Sequence, residues 1–307
     1  MKTNKLALSI FAATAMAASS AALATDMYID LGSNVYDDTV ILPNLSQLTG
    51  VAFDADTTTS TFTEFGFSQL LATSVYDATM GPIGIGTTFY DTNKTSDFAD
   101  LGITPSISGI ALDGSTNVTL TQPTVGQVDV DNLSPLTDTD DVEGFGNTWK
   151  LTTEYFLDGI ITAFGPQYTS GTFTINFESL ISPATFVALA GTLSGSAIAG
   201  PNLDLMFDIT AAADDFLFVK APGSGFVDVH DILANGGSPS IKLDTNVNPP
   251  FPQDQQLLAI TDVNGNDVAV RQTTLDGTFI VDVPEPSSIA IFGAGLLALA
   301  GLRRKAK

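Results

Sequence analysis

The chain has 307 residues, and its 11 Lys plus Arg stand against 34 Asp plus Glu, giving a formal charge of −23. That acidic balance excludes nucleic acid or an anionic membrane surface as partner of the folded part, because both require a basic face. No cysteine is present, so disulfides, thiol catalysis and thiolate metal sites are excluded, and a single His and a single Trp leave little of the usual catalytic alphabet.

Residues 1–24 read as a secretory signal peptide. Lys2 and Lys5 precede an apolar, Ala-rich run, and Ala22 and Ala24 supply the small residues at −3 and −1 that signal peptidase needs, with cleavage expected before Thr25. Residues 25–283 form the body, which retains only Lys94, Lys150, Lys220, Lys242 and Arg271 as bases against all but one of the acids. Its apolar content is too high for disorder. Period-two alternation dominates it: Trp149, Leu151, Tyr155 and Leu157, then Phe173, Ile175 and Phe177, then Leu203, Leu205, Phe207 and Ile209, each alternating with polar residues. These are half-buried strands. Asp113-Gly114, Asn235-Gly236-Gly237, Asn264-Gly265 and Asp276-Gly277 punctuate them as turns. Ser182 to Leu193 is the best short helix candidate, with Gly191 and Gly195 as marks of a loop on the alternative reading. The expected fold is all-β, an antiparallel β-sandwich with a jelly roll as one form of it, flanked by the signal helix and a C-terminal hydrophobic helix.

Two carboxylate groups invite a metal reading. Asp138, Asp140, Asp141 and Glu143 crowd one segment between Pro135 and Gly144, and either a solvated acidic loop or a weak Ca²⁺ site explains them. Asp262, Asn264, Asn266 and Asp267 set hard oxygen ligands at alternate positions, as a calcium loop does, yet Asp267 stands where an EF-hand requires Gly, and Thr273 where it requires Glu. The simpler reading is a pair of two-residue hairpins. The first, at Asn264-Gly265, pairs Thr261 with Val268; the second, at Asp276-Gly277, sets Arg271 opposite Asp282. That register places Asp262 against Asp267, a repulsion that a cation would relieve. No catalytic residue is assigned. His230 between Asp228 and Asp231 lacks a serine elbow, and Ser224 is a loop serine. Tyr36, Tyr76, Tyr90 and Tyr168 serve in the core, in turns or on a sugar-binding surface.

The C-terminal segment, residues 284–307, follows the last strand directly. Val283-Pro284-Glu285-Pro286 precedes an apolar run from Ser287 to Leu302, closed by Arg303, Arg304 and Lys305. About 16 helical residues reach roughly 24 Å, short of a hydrocarbon core of roughly 30 Å, so the run suits a temporary anchor. The basic stop keeps this end cytoplasmic. Motif, Gly-containing helix and basic cluster in this order resemble the PEP-CTERM sorting signal of Gram-negative bacteria. The resemblance implies export, transient insertion in the inner membrane, processing by an exosortase near Pro284-Glu285-Pro286, and a cell-surface or extracellular destination in exopolysaccharide, biofilm or floc. The Phe-rich and Gly-Thr-rich strands are weakly similar to the flocculation-associated group, with no diagnostic motif in the body. The expected function is therefore a non-enzymatic surface or matrix protein without a cofactor. The alternatives are a calcium-assisted carbohydrate-binding module, with exopolysaccharide as partner, and a glycoside hydrolase, which needs two carboxylates about 5–10 Å apart.

Overall fold

The computed structural model describes residues 25–32, 57–79, 81–123, 126–130, 143–146, 148–199, 202–221, 225–246 and 252–283. The signal segment, the C-terminal apolar run, Tyr36, Ser224 and the acidic cluster Asp138, Asp140 and Asp141 lie outside the described residues.

Elements are numbered in chain order. The principal strands are β2 (Phe65–Asp77), β3 (Thr88–Thr92), β6 (Gly126–Val130), β7 (Trp149–Thr162), β8 (Gly165–Ser179), β9 (Thr185–Ala199), β10 (Asn202–Ala212), β13 (Ser240–Asn246), β14 (Leu258–Thr261) and β15 (Asp267–Asp282). The smaller ones are β1 (Met27–Ile29), β4 (Ser106–Ile110), β5 (Asn117–Thr121), β11 (Leu217–Lys220) and β12 (Phe226–Asp228), with helices α1 (Thr95–Asp100) and α2 (Val229–Ala234). The alternation predicted from sequence is realised: Leu203, Leu205, Phe207 and Ile209 are buried, while Met206 between them is exposed.

These strands make an antiparallel meander that closes on itself. Each pairs with its neighbour in sequence, and β15 returns to pair with β2 from Phe279↔Phe65 to Val268↔Asp77. The expectation of two facing sheets gives way to one closed wall of eight lanes. Two lanes are each built from two strands. β3 and β6 lie end to end between β2 and β7, and β13 and β14 lie end to end beside β15.

The first break in the wall is closed by a side chain. Asn93, 2% exposed, donates from Nδ2 to the Thr153 carbonyl (2.8 Å) and to Gln69 Oε1 (3.2 Å), and its Oδ1 accepts from the Tyr155 N–H (2.8 Å). It supplies the ladder bonds that the chain would have made had it not left the wall. The excursion that follows, α1 and the β4–β5 hairpin, packs on the outer face of β2 and β15, where Phe98, Leu101, Ile103 and Leu120 meet Val75, Leu258 and Val270. Gln272 clamps it, exchanging hydrogen bonds with the Thr121 backbone at 2.9 and 2.7 Å.

One end of the barrel is plugged. β1, β11, β12 and α2 lie across it, and Met27, Ile29, Phe62, Phe216 and Val219 join the interior cluster. Phe62, Phe65 and Phe279 form a chain of ring contacts at 4.9 and 4.7 Å there, and Trp149 adds contacts to Phe145 and Phe177.

Three local expectations are corrected. Ser182 to Leu193 is not helical, for β9 runs through it. Gly191 is needed there by close approach, since a Cβ would meet the Phe173 ring at 2.5 Å. Asp276-Gly277 is no turn either, because β15 is one continuous strand in which a Cβ on Gly277 would meet the Asp244 carbonyl at 2.4 Å. The Asn264-Gly265 turn is real, but Thr261 pairs with Asp267, one residue from the predicted register. Asp262 causes the slip by gathering the N–H groups of Asn264 and Asn266 onto Oδ1, both at 2.8 Å, which lengthens the loop.

Candidate functional site

Eight-stranded barrels either fill their interior with side chains or leave room for one small ligand. This one leaves room. Between the aromatic plug and a second inward cluster of Tyr76, Phe89 and Tyr168 lies a chamber of about 740 Å³, within the roughly 300–1,000 Å³ range of small-molecule sites. Its walls are largely apolar, including Leu157, Phe173, Ile175, Leu205 and Phe207. Small residues such as Ala72, Ser74 and Thr245 keep the bore open where larger ones would fill it. On β15 the lining continues through Thr274 and Asp276, which are exposed. This stretch lies where neither β13 nor β14 pairs with the strand.

One wall is polar. Cross-strand register sets Asp91 opposite Ser74, and Ser74 opposite Arg271, so that three inward residues form a row across β3, β2 and β15. The Tyr168 hydroxyl donates to Asp91 Oδ2. Tyr155, 6% exposed, lines the same chamber from β7, positioned by the Asn93 bond to its N–H. Burial pushes the Asp91 carboxyl up, opposed by Tyr168, Ser74 and Arg271. Burial likewise raises Tyr76 to about 12, with Arg271 pulling the other way, and raises Tyr155 and Tyr168 further, with Asp91 adding to both. All three phenols therefore keep their protons at neutral pH and act as donors.

The Asp91 shift has a measurable consequence. A carboxyl whose folded pKa exceeds its unfolded value binds more protons in the native state, so its cost is absent below the unfolded pKa of about 3.9 and grows as pH rises through the folded value. Thermal unfolding of Asp91→Asn should consequently show a shallower loss of stability between pH 4.5 and 7 than the parent chain. Parallel slopes would show that burial does not govern Asp91.

Cations are scarce, which makes the buried one informative. Lys150, Lys220 and Lys242 pair with Glu178, Asp26 and Asp204 at 2.9, 2.7 and 3.2 Å, and Lys94 lies 5.9 Å from the Phe156 ring centre, all on the outside of the wall. Among the described cations Arg271 alone turns inward, 7% exposed. Charged outer faces and an apolar bore are the reverse of a lipid-facing barrel.

Of the described residues singled out from sequence as candidate ligands or binding groups, Tyr168 lines this chamber and the others do not. Glu143 is buried near the plug, its φ of +47° left-handed and its carbonyl accepting the Trp149 indole N–H at 2.9 Å. Asp262, Asn264 and Asp267 sit in the exposed β14–β15 hairpin. Asp267 there accepts from the Thr261 hydroxyl at 2.9 Å, while Asn266 and Asn264 hold Asp262 below the usual carboxylate range. The predicted clash of Asp262 with Asp267 thus disappears with the register slip, and with it the reason for a cation. Val283 ends buried where β15 leaves the plugged end, so the last strand does lead directly into Pro284-Glu285-Pro286. Tyr76 and Tyr168 are interior, and Tyr90 stacks on Phe156 outside at 5.2 Å. His230 Nδ1 lies 3.1 Å from Asp214, beside Asp228. Asp228 is occupied as the cap of α2, accepting from the N–H groups of His230 (2.9 Å) and Asp215 (2.7 Å). Sequence reasoning missed Asp91, Tyr155 and Arg271 as a group. The available signal was phase: Asp91 alternates with Phe89, and Arg271 with Ala269.

Fold and chamber together define a closed, eight-lane antiparallel barrel with one polar wall inside an apolar bore. Residues 282–305 match the PEP-CTERM protein-sorting motif, which makes the chain an exosortase-targeted protein, exported and sorted at the membrane. Among the described residues no helix is long and apolar enough to cross a membrane. Comparison with curated proteins and with solved structures finds no match.

Proposed function

We propose that this is a non-enzymatic cell-surface or matrix protein whose barrel holds a small, mainly apolar molecule. Exosortase processing delivers it to an exopolysaccharide, biofilm or floc setting. The chamber carries the binding reading: about 740 Å³ of mainly apolar space, with a few polar side chains including the Asp91–Ser74–Arg271 row, is the usual form of a small-molecule site. It favours this over a carbohydrate module, since a sugar buried among Leu, Ile and Phe would leave hydroxyls unpaired. Hydrolase chemistry finds little support in the chamber. Its two lining carboxylates, Asp91 and Asp276, stand far apart, because Asp276 is five positions along β15 from Arg271, which shares the row of Asp91. Five positions are about 16 Å of strand.

The test uses processed protein recovered from culture without detergent, titrated with the neutral fluorophore N-phenylnaphthylamine. Leu205 is buried and lines the chamber. Leu205→Trp should fill the bore and weaken probe binding at least about tenfold, while the thermal transition stays cooperative. Equal binding by parent and variant places the probe elsewhere and removes the reading.

A further inference from the structure

β13 and β14 share the lane beside β15 without meeting. β13 pairs with it from Gly277 to Asp282 and β14 from Asp267 to Val270, so Arg271 to Asp276 have no backbone partner on that side among the described residues. The ladder on the other side is irregular at the same height: its register with β2 shifts between Thr273 and Leu275, and Leu71 of β2 is left-handed at a φ of +65°. Side chains frame the gap. At one end the Thr245 hydroxyl donates to the Asp276 carbonyl (2.8 Å), and at the other Gln272 is held by the Thr121 backbone.

Burial along β15 shows what the gap does. Inward-facing Ala269, Arg271, Phe279 and Val281 are at most 7% exposed, whereas Thr273 and Leu275 between them, which line the chamber, are only partly buried. Thr274 and Asp276 alternate outward and are exposed, yet they too border the chamber, which a strand paired on both edges would not allow. Solvent therefore reaches the interior here. The ends of the bore offer less: the plug fills one, and Tyr76, Phe89 and Tyr168, none more than 9% exposed, fill the other.

We propose that a ligand enters and leaves the chamber sideways, through the gap between β13 and β14, with Thr274 and Asp276 as its outer rim. This rests on the binding reading above and adds the route to it. The stretch from Thr273 to Asp276 gives roughly 13 Å of open strand edge, long enough for a flat ring system or a chain end to pass. An axial route would instead have to part the Phe89 ring from Tyr76 and Tyr168, which it meets at 5.6 and 5.3 Å.

Because the chain has no cysteine, each rim position can be capped alone. Thr274→Cys is biotinylated through its thiol and covered with streptavidin, and so is Phe164→Cys. Phe164, 85% exposed, lies in the β7–β8 turn at the Tyr168 end of the barrel and reports the axial route. Stopped-flow fluorescence of N-phenylnaphthylamine with processed, detergent-free protein reads the rates, against a free streptavidin blank. The cap at 274 should slow binding and release alike, each at least about fivefold, with unchanged affinity. At 164 it should alter neither rate. Asp276→Cys, capped in the same way, should repeat the result at 274, and all three variants should bind like the parent before capping, since each altered side chain is exposed. Slowing at 164 alone puts the route along the axis, and full speed at all three positions equally overturns the lateral one. A parent chain that binds no probe removes the binding reading instead, so the two failures are distinct.

Discussion

Replacing Asn93 with Leu is expected to destabilise the barrel by about 3–5 kcal/mol, read as a fall in the urea midpoint at unchanged slope. The side chain is nearly isosteric, so packing is not the cause. It removes the bonds to the Tyr155 N–H and the Thr153 carbonyl, both at 2.8 Å, and the one to Gln69. Two buried backbone groups are then left unpaired, each costing about 1–3 kcal/mol. Nothing else can replace them, because the chain itself has left the wall between Thr92 and Gly126. A loss under about 1 kcal/mol would mean that solvent enters the break and bonds these groups, contradicting their burial. The variant should also weaken probe binding, since the residue seats both Asp91 and Tyr155.

Trp149→Ala should be about as costly, at about 3–5 kcal/mol, for a different reason. Trp149 is 1% exposed and packs its ring against Phe145 and Phe177 at 4.8 and 5.7 Å. Truncation opens a void in the plug that the surrounding strands, held by their ladders, are poorly placed to refill. It also orphans the Glu143 carbonyl, which now accepts the indole N–H, in a turn where Glu143 is already left-handed. Trp149→Phe separates the contributions by restoring most of the ring contact and none of the bond, so it should lose only about 1–2 kcal/mol. If Phe proves as damaging as Ala, the hydrogen bond and not the void governs this end of the barrel.

The strands were legible where apolar and polar residues alternate with large side chains, as in β7, β8 and β10. β9 was obscured because Ala, Gly and Ser carry little periodic signal, and its conformation is imposed by β8 and β10 on either side. Closure of the wall was not legible at all. It depends on Phe65 finding Phe279, and nothing local to either residue records that pairing. The same holds for the polar row. Arg271 was assigned to Asp282 through a turn at Asp276-Gly277, whereas the glycine serves close approach to Asp244 and the strand runs straight on. By contrast, the sorting motif was fully legible, because its recognition resides in a contiguous string of residue types and not in a fold.

The strand that seals the cylinder is also the last to be synthesised before the sorting motif. During export through a narrow channel, β2 emerges early and must wait for some two hundred residues before its partner arrives. Until then the seam stands open and the Asp91 wall lacks its arginine. Completion of the cylinder therefore waits for the last strand before the sorting motif, and the chamber stays open until that strand arrives.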